Sequence, residues 1–255
     1  MPREFAGSAL RTTALVRHNT LLLLREPGPL LSRMILPLVF IAILRPLYVS
    51  AQGDRAGTAQ AVMGTLVTFS LLAMGTVGAS LLTERLWHTW ERLRTTPARP
   101  AELLLGKGLP VMAAMLTQQA AILAFGILVL RMPVADPALL ALAVLSWTAA
   151  LLGMGAALGV MARSFGELSA GYDIGGMLLS SLGGALVPLA SMPAWVRAVA
   201  PASPGYWGVS ALRSALHGSA ADTLRACALL AAFAVAFGAL AAYRAGRGGG
   251  RSAKL

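Results

Sequence analysis

Charge is the first thing this sequence is short of: 12% of its 255 residues are Asp, Glu, Lys or Arg, about half the share of a soluble domain. With 57% hydrophobic residues beside so few charges, the chain cannot cover an ordinary water-facing surface. That excludes a soluble globular protein and points to an integral membrane protein. A single cysteine, Cys227, excludes disulfide frameworks and clustered-thiol metal sites, and a small packing or lipid-facing role suits it better than chemistry. The three histidines, His18, His88 and His217, are scattered with no H-E-x-x-H spacing, so no metal site is expected. Nor is there a G-x-x-x-x-G-K-[ST] phosphate loop, because Gly106-Lys107 runs into Gly108 and lacks the preceding glycine. Catalysis within this chain is therefore not expected.

What is present in quantity is apolar sequence in long runs. A helix needs about 20 apolar residues to cross the hydrocarbon layer, and must pair its own backbone groups while it does so. Residues 56–83, 108–130, 137–162, 174–196 and 226–243 contain no Asp, Glu, Lys or Arg, and each is expected to hold one span. A further span is expected at 30–50. There Arg33 and Arg45 lie near opposite ends and can snorkel to opposite headgroup layers, and Pro37 and Pro46 are expected to kink it. The fold class is thus an all-α integral membrane protein with six transmembrane helices, at residues 30–50, 57–83, 101–130, 137–162, 168–190 and 223–243, forming one domain over 1–255.

Six spans put both termini on one side, and the basic residues say which. Arg3, Arg11, Arg17, Arg25 and Arg33, then Arg85, Arg92, Arg94, Arg99 and Lys107, then Arg163, then Arg244, Arg247, Arg251 and Lys254 fall on the expected cytoplasmic side. The opposite loops hold only Arg55, Arg131, Arg197, Arg213 and Arg225. The net charge of +11 is explained by this segregation and by contact with anionic membrane lipids, so no nucleic-acid partner is expected. Residues 1–28 place Phe5, Ala9, Thr12, Val16 and Leu23 on one helical face, with Arg11, His18 and Arg25 on another. This is the pattern of an amphipathic helix lying in the interface plane, with Pro27-Gly28-Pro29 turning the chain into the first span. The Gly-rich basic tail, 244–255, is expected to be mobile.

The most informative stretch lies between the second and third spans. Over 84–96, Leu86, Trp90 and Leu93 follow i, i+4, i+7 spacing, Glu84, His88 and Glu91 form a second stripe, and Arg85 and Arg92 a third. Pro97 stops this helix, and Pro100 is tolerated in the first turn of the next. Trp87 and Trp90 suit aromatic anchors seated in a partner's cleft and ringed by ion pairs; they equally suit the headgroup layer, where the ring is apolar and the N–H is wet. Farther on, prolines divide 192–218 into pieces too short to cross, which read as re-entrant helices. The small-residue pairs Gly155-x-x-x-Gly159 and Gly171-x-x-x-Gly175 allow close helix approach, either inside one bundle or between two copies.

Two blocks carry a family resemblance. Glu84-Arg85, Thr89-Trp90-Glu91-Arg92-Leu93-Arg94, Pro97, Glu102-Leu103-Leu104 and Gly106-Lys107 resemble the coupling-helix signature of ABC-2 type transporter permeases, in particular the daunorubicin-resistance and nodulation-protein-like members. Pro188, Met192-Pro193, Trp195, Arg197, Pro201, Pro204, Trp207 and Leu212-Arg213 resemble that family's outer segment between its fifth and sixth spans. The sequence departs from the signature at Leu86 and His88, where the family commonly has an acidic residue and a glycine.

The resemblance implies the permease subunit of an ATP-driven exporter in a bacterial cell membrane, moving an apolar or amphipathic drug, antibiotic, lipid or glycan-type substrate. It implies a second permease copy as a homodimer partner, two copies of an ABC ATPase that bind ATP and Mg, and no cofactor on this chain. ATPase coupling would fall to Glu84, Arg85, Trp87, Trp90, Glu91, Arg92, Arg94, Pro97 and Pro100. The outer segment would be marked by Pro193, Trp195, Arg197, Pro204, Trp207 and Arg213. The alternative is an ion-gradient-driven secondary carrier or channel, which would want buried acidic relays at mid-membrane depth. A membrane-embedded transferase is weaker still, since only Glu167 and Asp173 approach converging polar groups.

Overall fold

The structure, a computed structural model, describes residues 2–25, 27–86 and 100–247, and no strand occurs among them. Its helices in chain order are α1 (Pro2–Arg25), α2 (Pro27–Gln52), α3 (Asp54–Ala73), α4 (Gly75–Leu86), α5 (Pro100–Ala124), α6 (Pro137–Met161), α7 (Phe165–Leu182), α8 (Ala194–Val199), α9 (Pro204–Leu216) and α10 (Ala220–Arg247). A π turn, Phe125–Val129, extends α5, and 3₁₀ turns at Leu189–Ser191 and Ala200–Ala202 flank α8. Residues 84–86 end α4, while 87–96 of the expected coupling segment and the tail from 248 lie outside the described residues.

Among the described residues, five helical stretches are long and apolar enough to cross a membrane: Leu31–Gln52, Asp54–Thr83, Gly108–Val129, Pro137–Met161 and Ala220–Ala245. Their chemistry explains their placement. Leu31, Ile35, Phe40 and Ile43 of α2 and Val235 of α10 are large, apolar and exposed, a surface that only lipid or another apolar partner would match. The interior is apolar as well: Trp147, Leu151, Met63, Leu66, Ile122 and Leu230 are almost wholly enclosed. α6 is the hub, packed most extensively against α10 and also against α4 and α9.

Three elements differ from the sequence expectation. The stretch expected to span at 168–190 is the eighteen-residue α7, which starts at Phe165 and stops at Leu182. Its Glu167, Asp173 and glycines leave it less apolar than the five, and the chain then turns at Gly184, whose φ of 80° suits only glycine. Pro27-Gly28-Pro29 forms the first turn of α2 rather than a turn ahead of it, where missing prolyl N–H groups cost nothing. Arg45 does not need to snorkel: it meets Asp54 at 2.7 Å and donates to Thr58 Oγ1 at 3.0 Å, because Gly53, at φ 83°, folds α3 straight back along α2.

Candidate coupling and outer-segment sites

The expected second span runs as one helical stretch, Asp54–Thr83, with a locally tightened turn where α3 passes into α4. Met74 keeps helical dihedrals and its N donates to Ser70 O at 3.1 Å, while Met74 O accepts from Val77 N at 3.0 Å as well as from Gly78 N at 3.3 Å. Close packing surrounds this turn. A Cβ on Gly155 would lie 2.6 Å from Met74 O, one on Gly159 2.5 Å from Gly78 O, and one on Gly75 2.5 Å from the Tyr172 ring. Only glycine admits these approaches. The Gly155/Gly159 pair therefore packs α6 against this turn within one bundle, whereas Gly175 of the second pair faces open space. α4 carries the span on to Leu86, where the charged, tryptophan-bearing segment follows in the sequence.

At the far end of α3 a polar net ties three parts of the chain together. Gln60, only 2% exposed, donates through Nε2 to Gly184 O at 3.0 Å and Ala185 O at 2.9 Å, and its Oε1 accepts from Arg213 Nη2. Tyr48 donates its hydroxyl to Leu186 O. The same locus admits no side chain at Gly64, where a Cβ would sit 2.0 Å from Ala185 O. Carbonyls freed when α7 ends would be costly to leave unpaired in an apolar setting. The net satisfies them and fastens α9 to α3.

Of the outer-segment residues expected to matter, Arg213 enters this net. Pro204 is buried at the first turn of α9, and Trp207 Nε1 donates to Pro201 O at 2.8 Å, bracing α9 on the turn before it. Pro193 precedes α8 and receives Val196 N at 3.1 Å and Arg197 N at 3.2 Å on its carbonyl, while Trp195 and Arg197 are exposed. Of the coupling residues, Glu84 and Arg85 fall in the last turn of α4 and Pro100 opens α5; Trp87, Trp90, Glu91, Arg92, Arg94 and Pro97 lie outside the described residues. Sequence reasoning missed Gln60, Tyr48, Thr58 and Asp54, though a glutamine inside an apolar run was a usable signal. Glu167 serves the start of α7, since its Oε2 accepts at 2.8 Å from the N of Arg163, the residue before the N-cap, while the N-cap Ser164 Oγ accepts from Glu167 N at 3.2 Å, an exchange close to a capping box but shifted by one residue. No group of three or more His, Cys, Asp or Glu is placed to hold a metal among the described residues.

A helical bundle with apolar outer faces, internal polar ties and several spans defines a multi-pass membrane protein. Residues 11–217 match the family model described as ABC-2 type transporter, so the chain belongs to the ABC-2 type transporter family. It is a transmembrane permease subunit, and permeases of this family work with an ABC ATPase. Comparison with curated proteins gives no match.

Proposed function

We propose that this chain is the permease half of an ATP-driven exporter, moving an apolar or amphipathic drug, antibiotic, lipid or glycan-type substrate out across a bacterial cell membrane. The observation that carries the reading is the family match over residues 11–217. ATP and Mg bind to the partner ATPase, two copies of which grip the segment 84–96 on the cytoplasmic side. Glu84, Arg85, Glu91, Arg92 and Arg94 form its ion pairs, Trp87 and Trp90 anchor it, and Pro97 and Pro100 stiffen its exit. Closure of the ATPase dimer tilts α4, and the motion passes to α6 and α7 through the glycine contacts.

α7 serves as the sixth membrane segment, leaving both termini in the cytoplasm in keeping with the basic residues of α1 and the tail. Ile174, Met177 and Leu178 of α7 are exposed and Gly175 faces open space, which suits contact with a second copy in a homodimer. Purification of the tagged chain tests the reading: an ABC ATPase travels with it, and Glu91→Arg or Trp90→Ala releases that subunit. Transport that persists in cells lacking the ATPase refutes it in favour of a gradient-driven carrier.

A further inference from the structure

A cavity of about 290 Å³ opens between α1, α2, the α3–α4 turn and α5, lined by Thr20, Arg33, Ala73, Thr76, Ala113 and Gln118 among others. Its wall is mostly apolar, yet Arg33 of α2 is partly buried there, with Tyr172 as an electrostatic neighbour but no hydrogen bond or ion pair to any described residue. The other polar groups are already engaged. Thr20 and Thr117 donate to Val16 O and Ala113 O at 2.8 Å, Thr76 donates to Ala73 O, and Gln118 Nε2 turns toward Phe69 O at 3.5 Å. Spent hydroxyl protons leave the guanidinium as the cavity's strong donor, a fork that matches a phosphate or carboxylate. A cation inside a membrane segment stays there because something answers it.

Position along the spans sets the ligand's orientation. Arg33 and Pro110 each lie three residues into their parallel spans, which begin at Leu31 and Gly108. Gln118 lies about 12 Å deeper at the helical rise per residue. The charge therefore stands at headgroup depth, and the apolar wall runs inward beside it. We infer that this cavity binds an anionic amphiphile, its phosphate or carboxylate on Arg33 and its hydrocarbon body along Ala73, Ala113 and Met115. Every described lining residue belongs to this chain and binding there needs no ATPase, so its success or failure is separate from that of the transporter reading.

Native mass spectrometry of the purified full chain in neutral detergent tests it, with dioleoyl phosphatidylglycerol set against dioleoyl phosphatidylcholine and dodecyl phosphate set against dodecanol. Wild type retains the anionic member of a pair about tenfold better; Arg33→Gln removes that preference, and Arg225→Gln, on an exposed arginine of α10, keeps it. Preference in the two-chain pair alone assigns the site to a bilayer lipid, preference in the single-chain pair alone to a free amphiphile, and either supports the inference. Ala113→Phe keeps the charge, fills the cavity and lowers retention of both anionic probes, which decides the question should Arg33→Gln fail to fold. Equal retention of anionic and neutral probes by wild type overturns the inference, as does unchanged preference in Arg33→Gln or unchanged retention in Ala113→Phe.

Discussion

Replacing Gln60 by Leu puts the net around Gly184 and Arg213 to a direct test. The substitution keeps side-chain bulk at a site only 2% exposed and removes three hydrogen bonds at once. Two of them are neutral amide–carbonyl bonds, worth about 0.6 kcal/mol each on the average measured between membrane helices. The third is charge-assisted and worth about 1.5–3 kcal/mol. Gln60→Leu should therefore cost about 3–4 kcal/mol, and Arg213→Leu alone about 1.5–3 kcal/mol. The double variant should fall short of the sum by about 1.5–3 kcal/mol, the worth of the one bond that the two side chains share. Unfolding in mixed micelles of increasing SDS fraction, followed by circular dichroism, reads these differences. A cost below about 1 kcal/mol for Gln60→Leu, or strict additivity of the pair, would refute the argument that this amide holds α9 on α3.

Other outcomes follow from the same packing. Gly75→Ala drives a methyl to 2.5 Å from the Tyr172 ring and should destabilise the chain by about 1–3 kcal/mol; Tyr172→Leu should restore most of that loss in the double variant, and no restoration in the same titration would show that the ring is not the obstacle. Ser164→Ala removes the cap of α7 and should cost about 1 kcal/mol, with Ser164→Asp retaining most of it; equal loss in both would count against the cap. Glu91→Arg should abolish ATPase co-purification while leaving the permease folded by size-exclusion chromatography, and retained ATPase would remove this residue from the docking surface.

The membrane class, the long apolar spans and the family were legible in the sequence because each is written in composition, run length or a local motif. Charge-free runs dictated where lipid-crossing helices could lie, and Trp207 and Arg213 were marked by the resemblance of the outer segment to the family. What stayed hidden depends on contacts between residues far apart in the chain. The close packing around Met74 and Gly75 comes from Gly155 on α6 and Tyr172 on α7, which no window around residue 74 contains. The end of α7 at Leu182 was hidden for a related reason: the charge-free run continues past it to Val196, and only the pairing of carbonyls 184–186 with Gln60 and Tyr48 shows where the helix gives way to a bonded turn. Arg45 looked like a snorkelling cation because its partners, Asp54 and Thr58, come into reach only once Gly53 reverses the chain.

The proposed coupling requires that the segment beyond Leu86 be held from the cytoplasm by the ATPase. A chain carrying His88→Cys in a Cys227→Ala background, treated with a membrane-impermeant maleimide, measures this directly. Labelling in inverted vesicles but not in intact cells, with protection when the ATPase is added back, is the predicted result. Labelling from outside intact cells, or no protection by the ATPase, would contradict the account.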